Sequence, residues 1–219
     1  MGQTTDTVYI VDDDVSFARG LARLIGAAGW NAEVFSRAAD FLAPDRAPRG
    51  GAGCVLLDVR MPDMRGPDLY RVMLERKMDL PVIFLTGHGD VPTSVAAMKL
   101  GAVDFLEKPV LSETLVAAIR VALVRHAEGR KRDGERRDIE ERLARLTPRE
   151  HEVMAHVVAG RLNKQIAADL GISLKTVKAH RAKVMQKMDA KSLPALVDLC
   201  RDAGIGASVP FSTRQPAPA

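Results

Sequence analysis

Polar side chains able to bind metals and phosphoryl groups follow four short apolar runs in the first half of the chain. Asp12 and Asp13 follow TVYIV, Asp58 follows CVLL, Thr86 follows PVIFL, and Lys108 comes two residues after VDFL. Continuous apolar runs of this length are typical of strands buried on both faces of a parallel sheet. Ligands of such sheets bind beyond the carboxyl ends of the strands, so the five side chains are predicted to share one crevice.

Three carboxylates in one crevice require a compensating positive charge. Free Asp ionises near pH ~3.9, so Asp12, Asp13 and Asp58 would repel one another at neutral pH. Oxygen ligands suit Mg²⁺, and we expect this cation to bind the three carboxylates. Lys108 and Thr86 would add an ammonium and a hydroxyl that can hold phosphoryl oxygens while a carboxylate attacks the phosphorus. Any one Asp alone could instead be a helix N-cap or a turn residue.

The elements that must position these residues form an alternating series. Five apolar runs predict strands, and the segments after them have apolar residues at helical spacing. The predicted strands are 7–11, 31–35, 54–57, 81–85 and 103–106, and the predicted helices are 17–28, 38–42, 66–76, 91–100 and 111–125. This alternation predicts an α/β doubly wound fold with a five-stranded parallel sheet.

The second half has a different, all-helical pattern. Thr147, Pro148 and Glu150 form a helix-start signal, and helices are predicted over 148–158, 163–170, 174–188 and 192–203. The turn at 171–173 gives the second and third of these the proportions of a helix-turn-helix. The charged segment 126–143 is predicted to be a linker, either helical or flexible, and residues 204–219 are predicted to be disordered.

Charge is distributed unevenly between the two halves. The 219 residues carry 32 Lys and Arg against 28 Asp and Glu, a net charge of +4. Residues 1–124 hold 13 basic and 16 acidic side chains, whereas residues 125–219 hold 19 basic and 12 acidic. The basic second half favours nucleic-acid binding, although an uneven surface charge can also arise without a partner.

The remaining composition indicates a cytoplasmic protein. The two cysteines, Cys54 and Cys200, are too few for a disulfide framework, so both are expected to be reduced thiols. No apolar run is long enough for a membrane span, and no membrane partner is expected.

Within the basic half, the segment 173–191 contains six basic residues and one acidic residue. Val177, Val184 and Met188 recur at helical spacing and are predicted to face the core. The opposite face would then carry small and cationic side chains, and such a face can enter a DNA major groove. A solvated basic helix is the alternative.

Four segments of the first half resemble the receiver domain of bacterial response regulators: VYIVDDD at 8–14, LLDVRMPDMRG at 56–66, FLTGHGD at 84–90 and GAVDFLEKP at 101–109. The resemblance implies a flavodoxin-like receiver domain over 7–125, with Asp58 as the phosphoacceptor. Mg²⁺ would be bound by Asp12, Asp13, Asp58 and the backbone carbonyl of Arg60.

The same resemblance implies roles around the phosphoryl group. Thr86 and Lys108 would bind its oxygens, Phe105 would change rotamer with Thr86, and the Lys108–Pro109 peptide would be cis. A receiver catalyses only phosphoryl transfer to and from its own aspartate, so no other enzymatic activity is expected.

Segments of the second half resemble the LuxR-type helix-turn-helix domain of the NarL/FixJ class, and TGHGDVPTSV at 86–95 is similar to the FixJ-like branch. The segments are LTPREHEVM at 146–154, GRLNKQIAADLGIS at 160–173, TVKAHRAKVMQKM at 176–188 and AKSLPALV at 190–197. The resemblance implies a DNA-binding domain over 144–203.

This second resemblance also implies DNA and dimer contacts. Base edges would be faced by Lys178, Ala179 and Ala182. Phosphates would be contacted, or the helix supported, by Lys175, Thr176, His180, Lys183 and Lys191. The last helix would pair with its symmetry mate through Leu193, Leu196 and Val197.

Together the two halves predict a transcription regulator switched by phosphorylation. A sensor histidine kinase would phosphorylate Asp58, and the modified chain would dimerise and bind double-stranded promoter DNA. One alternative is a phosphatase with an aspartyl-phosphate intermediate, but Asp58-Val59-Arg60 lacks the second Asp that such an enzyme uses as its acid. The other alternative is a DNA-binding protein whose receiver is never phosphorylated.

Overall fold

The structure is a computed structural model that describes residues 6–43, 52–87, 98–202 and 204. The chain divides into two compact units, residues 1–131 and residues 132–219. Among the described residues, no helix combines the length and the apolar character that a membrane-spanning segment requires.

The first unit is built on a five-stranded, fully parallel sheet in the order β2-β1-β3-β4-β5. The strands are β1 (Thr7–Val11), β2 (Asn31–Phe35), β3 (Gly53–Asp58), β4 (Val82–Thr86) and β5 (Asp104–Glu107). The predicted doubly wound sheet is therefore confirmed. Strand β4 begins one residue later than expected because Pro81 has no N–H for the ladder.

Helices cover both faces of this sheet, which explains why its central strands are buried and mostly apolar. The described helices of this part of the chain are α1 (Val15–Ala27), α2 (Ala38–Phe41), α3 (Gly66–Glu75) and α4 (Ser112–Ala144). Ile10 and Leu56 point to the face covered by α1 and by the first turns of α4. Val55 and Leu57 point to the face covered by α2 and α3.

Two predicted segments differ from the structure or fall outside it. The helix expected to end at residue 125 continues to Ala144, so the segment 126–143 is helical. Most of the predicted helix 91–100 lies outside the described residues. Of its described positions, 98 and 99 are helical. The predicted tail lies outside the described residues as well, except for residue 204.

The second unit is helical, with α5 (Pro148–Val158), α6 (Asn163–Leu170), α7 (Leu174–Lys187) and α8 (Leu193–Asp202). Thr147 and Glu150 form the expected capping box at the start of α5. Gly171 ends α6 with φ 63°, a left-handed conformation that glycine adopts at low cost. Ser173 caps α7 by accepting the Thr176 N–H, which completes the predicted helix-turn-helix.

The core of this unit confirms the predicted inner face of α7. Val177, Val184 and Met188 are buried together with residues of α5 and α8. Ile139 and Leu143, from the last turns of α4, join the same core.

Candidate functional site

The crevice predicted at the carboxyl ends of the strands is present. Asp12 follows β1, Asp58 ends β3, Thr86 ends β4 and Lys108 follows β5. Because these four strands are neighbours in the sheet, their ends lie side by side. Asp12, Asp58 and Thr86 are buried, whereas Asp13 is exposed at the mouth of the crevice.

Lys108 joins the two buried carboxylates. Its ammonium donates to Asp12 Oδ2 at 2.6 Å and to Asp58 Oδ1 at 2.7 Å. The other oxygen of each carboxylate accepts a backbone N–H: Asp12 Oδ1 from Asp14 at 3.0 Å, and Asp58 Oδ2 from Arg60 at 2.8 Å. Both carboxylates are thus held in fixed orientations by hydrogen-bond donors, and a carboxylate oxygen can act as the nucleophile that attacks phosphorus.

Burial and pairing act against each other on the ionisation of this pair. Burial raises the pKa of the Asp12 carboxyl, and hydrogen bonding to Lys108 offsets only part of that increase. Burial also acts to lower the pKa of Lys108, but the hydrogen bonds to Asp12 and Asp58 raise it above its ordinary value. Lys108 is therefore a cation at neutral pH and supplies a fixed positive charge at Asp58.

The donor set fits a hard divalent cation. Asp12, Asp13 and Asp58 each offer one carboxylate oxygen, and these oxygens lie within 4.8 Å of one another. Carboxylate oxygens are the ligands that Mg²⁺ prefers, and the exposed Asp13 leaves the crevice open to the solvent from which the ion would come. The Arg60 N–H bond to Asp58 places the backbone of Arg60 beside this set.

The loop after β3 depends on a glycine. A Cβ added at Gly66 would lie 2.2 Å from the Asp58 carbonyl oxygen, far inside van der Waals contact. The Gly66 N–H also donates to Val59 O at 3.1 Å. Position 66 therefore requires glycine for the loop to return against Asp58.

Thr86 and Lys108 are also joined through the backbone, since Lys108 N donates to Thr86 O at 2.6 Å. The Lys108–Pro109 peptide is cis, as expected. Phe105 is partly buried, and its ring centroid lies 6.1 Å from that of Phe84 in β4.

One aromatic neighbour of the crevice was not predicted from the sequence. The ring of Phe17, in the first turn of α1, lies over Lys108 Nζ with 4.4 Å between nitrogen and ring centroid. In the sequence Phe17 is only one of several apolar residues at helical spacing, so its position against Lys108 requires the three-dimensional fold.

The residues predicted to contact DNA lie on or just beyond α7, and most of them are exposed. Thr176 and His180 are partly buried, and the exposed ones are Lys175, Lys178, Ala179, Ala182, Lys183 and Lys191. The Thr176 hydroxyl lies 2.8 Å from Ser173 Oγ, and His180 Nδ1 is buried without a hydrogen-bond partner among the described residues. Both side chains thus lie close to the body of the domain.

The predicted dimer contacts on α8 need one correction. Leu196 is fully buried in the core of the second unit, so its side chain is already occupied within its own chain. Leu193 is 39% exposed and Val197 is partly exposed, so these two side chains remain available for a dimer contact.

Comparisons with known proteins agree with this division of the chain. Residues 8–120 match the response regulator receiver domain family, and residues 144–200 match the luxR family of bacterial regulatory proteins. The transcriptional regulatory protein FixJ of Rhizobium meliloti (strain 1021) is 44% identical over 205 residues, which is 94% of this chain and 100% of FixJ. The response regulator protein TodT of Pseudomonas putida is 41% identical over 197 residues, covering 90% of this chain and 86% of TodT.

Solved structures give the same result. The response regulator StyR superposes with a TM-score of 0.83 at 40% sequence identity, covering 90% of this chain and 99% of StyR. Full-length FixJ from B. japonicum superposes with a TM-score of 0.56 at 42% identity, covering 93% of this chain and 99% of that protein.

Proposed function

The chain belongs to the FixJ-like response regulators of the NarL/FixJ class and is a DNA-binding transcriptional regulator of a two-component system; from this premise we propose that phosphorylation of Asp58 switches its dimerisation and promoter binding. The observation that carries the proposal is the position of Lys108 Nζ, 2.6 Å from Asp12 Oδ2 and 2.7 Å from Asp58 Oδ1. An ammonium there can neutralise the charge that a phosphoryl group brings to Asp58.

The phosphoryl donor is the phosphohistidine of a sensor kinase. An oxygen of the Asp58 carboxylate attacks the phosphorus, and a P–O bond forms as the P–N bond breaks. The histidine, protonated on its other ring nitrogen, keeps the electron pair of the broken bond and leaves as neutral imidazole. The product is an aspartyl phosphate, and Thr86 and Lys108 donate hydrogen bonds to its phosphoryl oxygens.

Asp12, Asp13, Asp58 and the Arg60 carbonyl would hold Mg²⁺. When bound, this ion supplies positive charge that reduces repulsion between the carboxylates and an incoming phosphoryl group. Without such compensation, a doubly charged phosphoryl group would meet three carboxylates at close range.

Thr86 and Phe105 transmit the effect of phosphorylation from Asp58 to the surface of the receiver. The Thr86 hydroxyl turns toward the phosphoryl oxygen, and the ring of Phe105 follows into the space that it leaves. These movements shift the population of two states of the receiver surface toward the one that dimerises. In the second unit, Leu193 and Val197 form the dimer contact.

Helix α7 enters the major groove of promoter DNA. Lys178, Ala179 and Ala182 face the base edges, where Ala179 can contact a thymine methyl group. Lys175, Thr176, Lys183 and Lys191 lie at phosphates, and His180 supports the helix. Phosphate contacts set affinity and register, while the few base contacts set sequence preference.

The direct test is incubation of the full chain with acetyl phosphate and Mg²⁺, followed by intact mass measurement. The proposal predicts a gain of one phosphoryl group in the native chain and none in Asp58→Asn. Asp40→Asn, which changes an exposed carboxylate outside the crevice, is the matched control and should gain the group normally. An equal gain in Asp58→Asn would contradict the assignment, and steady turnover of a generic phosphate ester would favour a phosphatase.

A further inference from the structure

We propose that Phe17 is a positioning residue for phosphorylation, and that its ring holds the Lys108 ammonium at Asp58 through a cation–π interaction. This inference rests on the proposed function, since it concerns the same crevice. It is based on the distance of 4.4 Å between Lys108 Nζ and the centroid of the Phe17 ring, which is well within the range of a cation–π contact.

Phe17 is itself held in register with the carboxylates by a short chain of hydrogen bonds. Its backbone N–H donates to Asp14 Oδ1 at 3.0 Å, which caps α1. The Asp14 N–H in turn donates to Asp12 Oδ1 at 3.0 Å. The partly buried Phe17 ring also packs against the core under α1, so it has little freedom to move away from the crevice.

The environment of the ammonium makes the ring contact significant. Two directions around Lys108 Nζ are taken by the carboxylates of Asp12 and Asp58, and the Phe17 ring covers a third. The Lys108 side chain is only 19% exposed, so solvent competes weakly for the ammonium. Cation–π interactions strengthen as the cation is desolvated.

The ring therefore restricts the flexible four-carbon Lys108 side chain to the position from which it meets a phosphoryl oxygen. A leucine at position 17 would fill similar apolar space but has no quadrupole to attract the ammonium. Lys108 would then sample more positions, and fewer encounters with a phosphoryl donor would find the ammonium in place.

The test measures the rate at which acetyl phosphate phosphorylates Asp58 in variants of the full chain at saturating Mg²⁺. In this reaction an Asp58 oxygen bonds to phosphorus as the bond to acetate breaks and acetate leaves. Phe17→Leu is expected to slow it by about threefold to tenfold, the range of a partly desolvated cation–π interaction. Phe17→Trp, whose ring binds cations more strongly, should retain or exceed the native rate.

A graded series separates electrostatic attraction from simple packing. Fluorinated phenylalanines at position 17 are nearly isosteric but progressively weaken the negative ring face, so the logarithm of the rate should fall with each added fluorine. The same residues at Phe41, a buried ring whose described ring neighbours are Tyr9 and Phe35, are the matched control and should leave the rate unchanged.

A second readout does not depend on phosphorylation. Acylation of Lys108 by an amine-reactive ester, measured by mass spectrometry relative to the exposed Lys99, should be faster in Phe17→Leu and in the fluorinated proteins. A flat fluorine series with unchanged labelling of Lys108 would overturn the inference while leaving Asp58 as the phosphoacceptor. Absence of phosphorylation in the native chain would instead overturn the proposed function, and the labelling series would still decide the role of Phe17.

Discussion

Lys187 Nζ lies 2.6 Å from Glu150 Oε2, so an ion pair joins the last turn of α7 to the first turn of α5. Glu150 Oε2 also accepts the Thr147 N–H at 2.8 Å, and the residue is buried. The same Lys187 ammonium donates to the Arg145 carbonyl at 3.0 Å. One buried carboxylate therefore fixes the proposed recognition helix against the start of the helix-turn-helix domain.

This pair predicts that the second unit loses stability in acid. The hydrogen bond from Lys187 and that from Thr147 lower the pKa of Glu150 to about 2, below the ordinary value of about 4.3 for an unfolded chain. The unfolded state then binds the proton more readily, so this contribution is complete above pH ~4.3 and is lost as pH falls toward 2.

Urea unfolding followed through the amide NMR peaks of α7 measures that contribution. Glu150→Gln should lower the free energy of unfolding by about 1–3 kcal/mol at neutral pH, the cost of losing a charge-assisted bond, and should flatten its pH dependence between 4.3 and 2. Glu152→Gln alters an exposed ion pair with Arg149 and is the control. If the free energy of unfolding of Glu150→Gln fell between pH 4.3 and 2 as steeply as that of the native chain, Glu150 would not be the source of the acid sensitivity.

Glycine-to-alanine substitutions at two positions should change stability in opposite directions. Gly66→Ala places a Cβ 2.2 Å from the Asp58 carbonyl, and overpacking of this kind costs about 1–3 kcal/mol. It should also slow Asp58 phosphorylation, since the strand end must shift. Gly20→Ala in α1 has open space around the added Cβ and should stabilise the unit by about 0.5–1 kcal/mol.

Trp30, the single tryptophan of the chain, packs against the core of the first unit. Its fluorescence therefore reports the unfolding of that unit. A Gly66→Ala protein as stable as the native chain would show that the loop after β3 can move without cost.

The pH dependence of the first unit should have a separate origin in His126. The Gly53 N–H donates to His126 Nδ1 at 2.8 Å in a buried position, and burial lowers the pKa of this imidazole below 6.5. Stability contributed by the neutral ring is complete above pH ~6.5 and declines as pH falls below it. His126→Asn keeps an acceptor for the Gly53 N–H but cannot titrate. The free energy of unfolding followed by Trp30 fluorescence should therefore lose this pH dependence. The same pH dependence in His126→Asn as in the native chain would exclude His126 as its source.

Two lysines of α7 should affect DNA binding in different ways. Lys178→Ala removes a proposed base contact and should cost about 1–3 kcal/mol at the preferred sequence while relaxing its specificity. Lys183→Ala removes a proposed phosphate contact and should weaken binding to all sequences, with the salt slope reduced by about one. Fluorescence anisotropy over a series of salt concentrations distinguishes the two, and identical salt slopes and specificities in both variants would contradict the division of roles.

The crevice could be predicted from the sequence because each of its residues is recognised from its immediate neighbours: a polar residue directly after an apolar run marks the end of a strand. Asp12, Asp58, Thr86 and Lys108 could all be located in this way. The helical form of 126–143 could not be decided, because its charged residues carry little apolar periodicity. Leu196 was expected to face the symmetry mate because Leu193, Leu196 and Val197 lie on one broad apolar face of α8, and only the packing shows that Leu196 is buried. The contact between Phe17 and Lys108 could not be predicted, because it depends on how close α1 lies to the end of β5, and the spacing of residues in the sequence does not give that distance.

Control of DNA binding by phosphorylation of Asp58 can be tested by measuring DNA affinity with and without a phosphoryl donor. Oligonucleotides selected by the native chain from a random library serve as the ligand, and affinity is measured with Mg²⁺ in the presence and absence of acetyl phosphate. We predict that the donor tightens binding by the native chain and leaves binding by Asp58→Asn unchanged. Equal tightening in both proteins, or none in a native chain shown by mass to carry the phosphoryl group, would contradict the account.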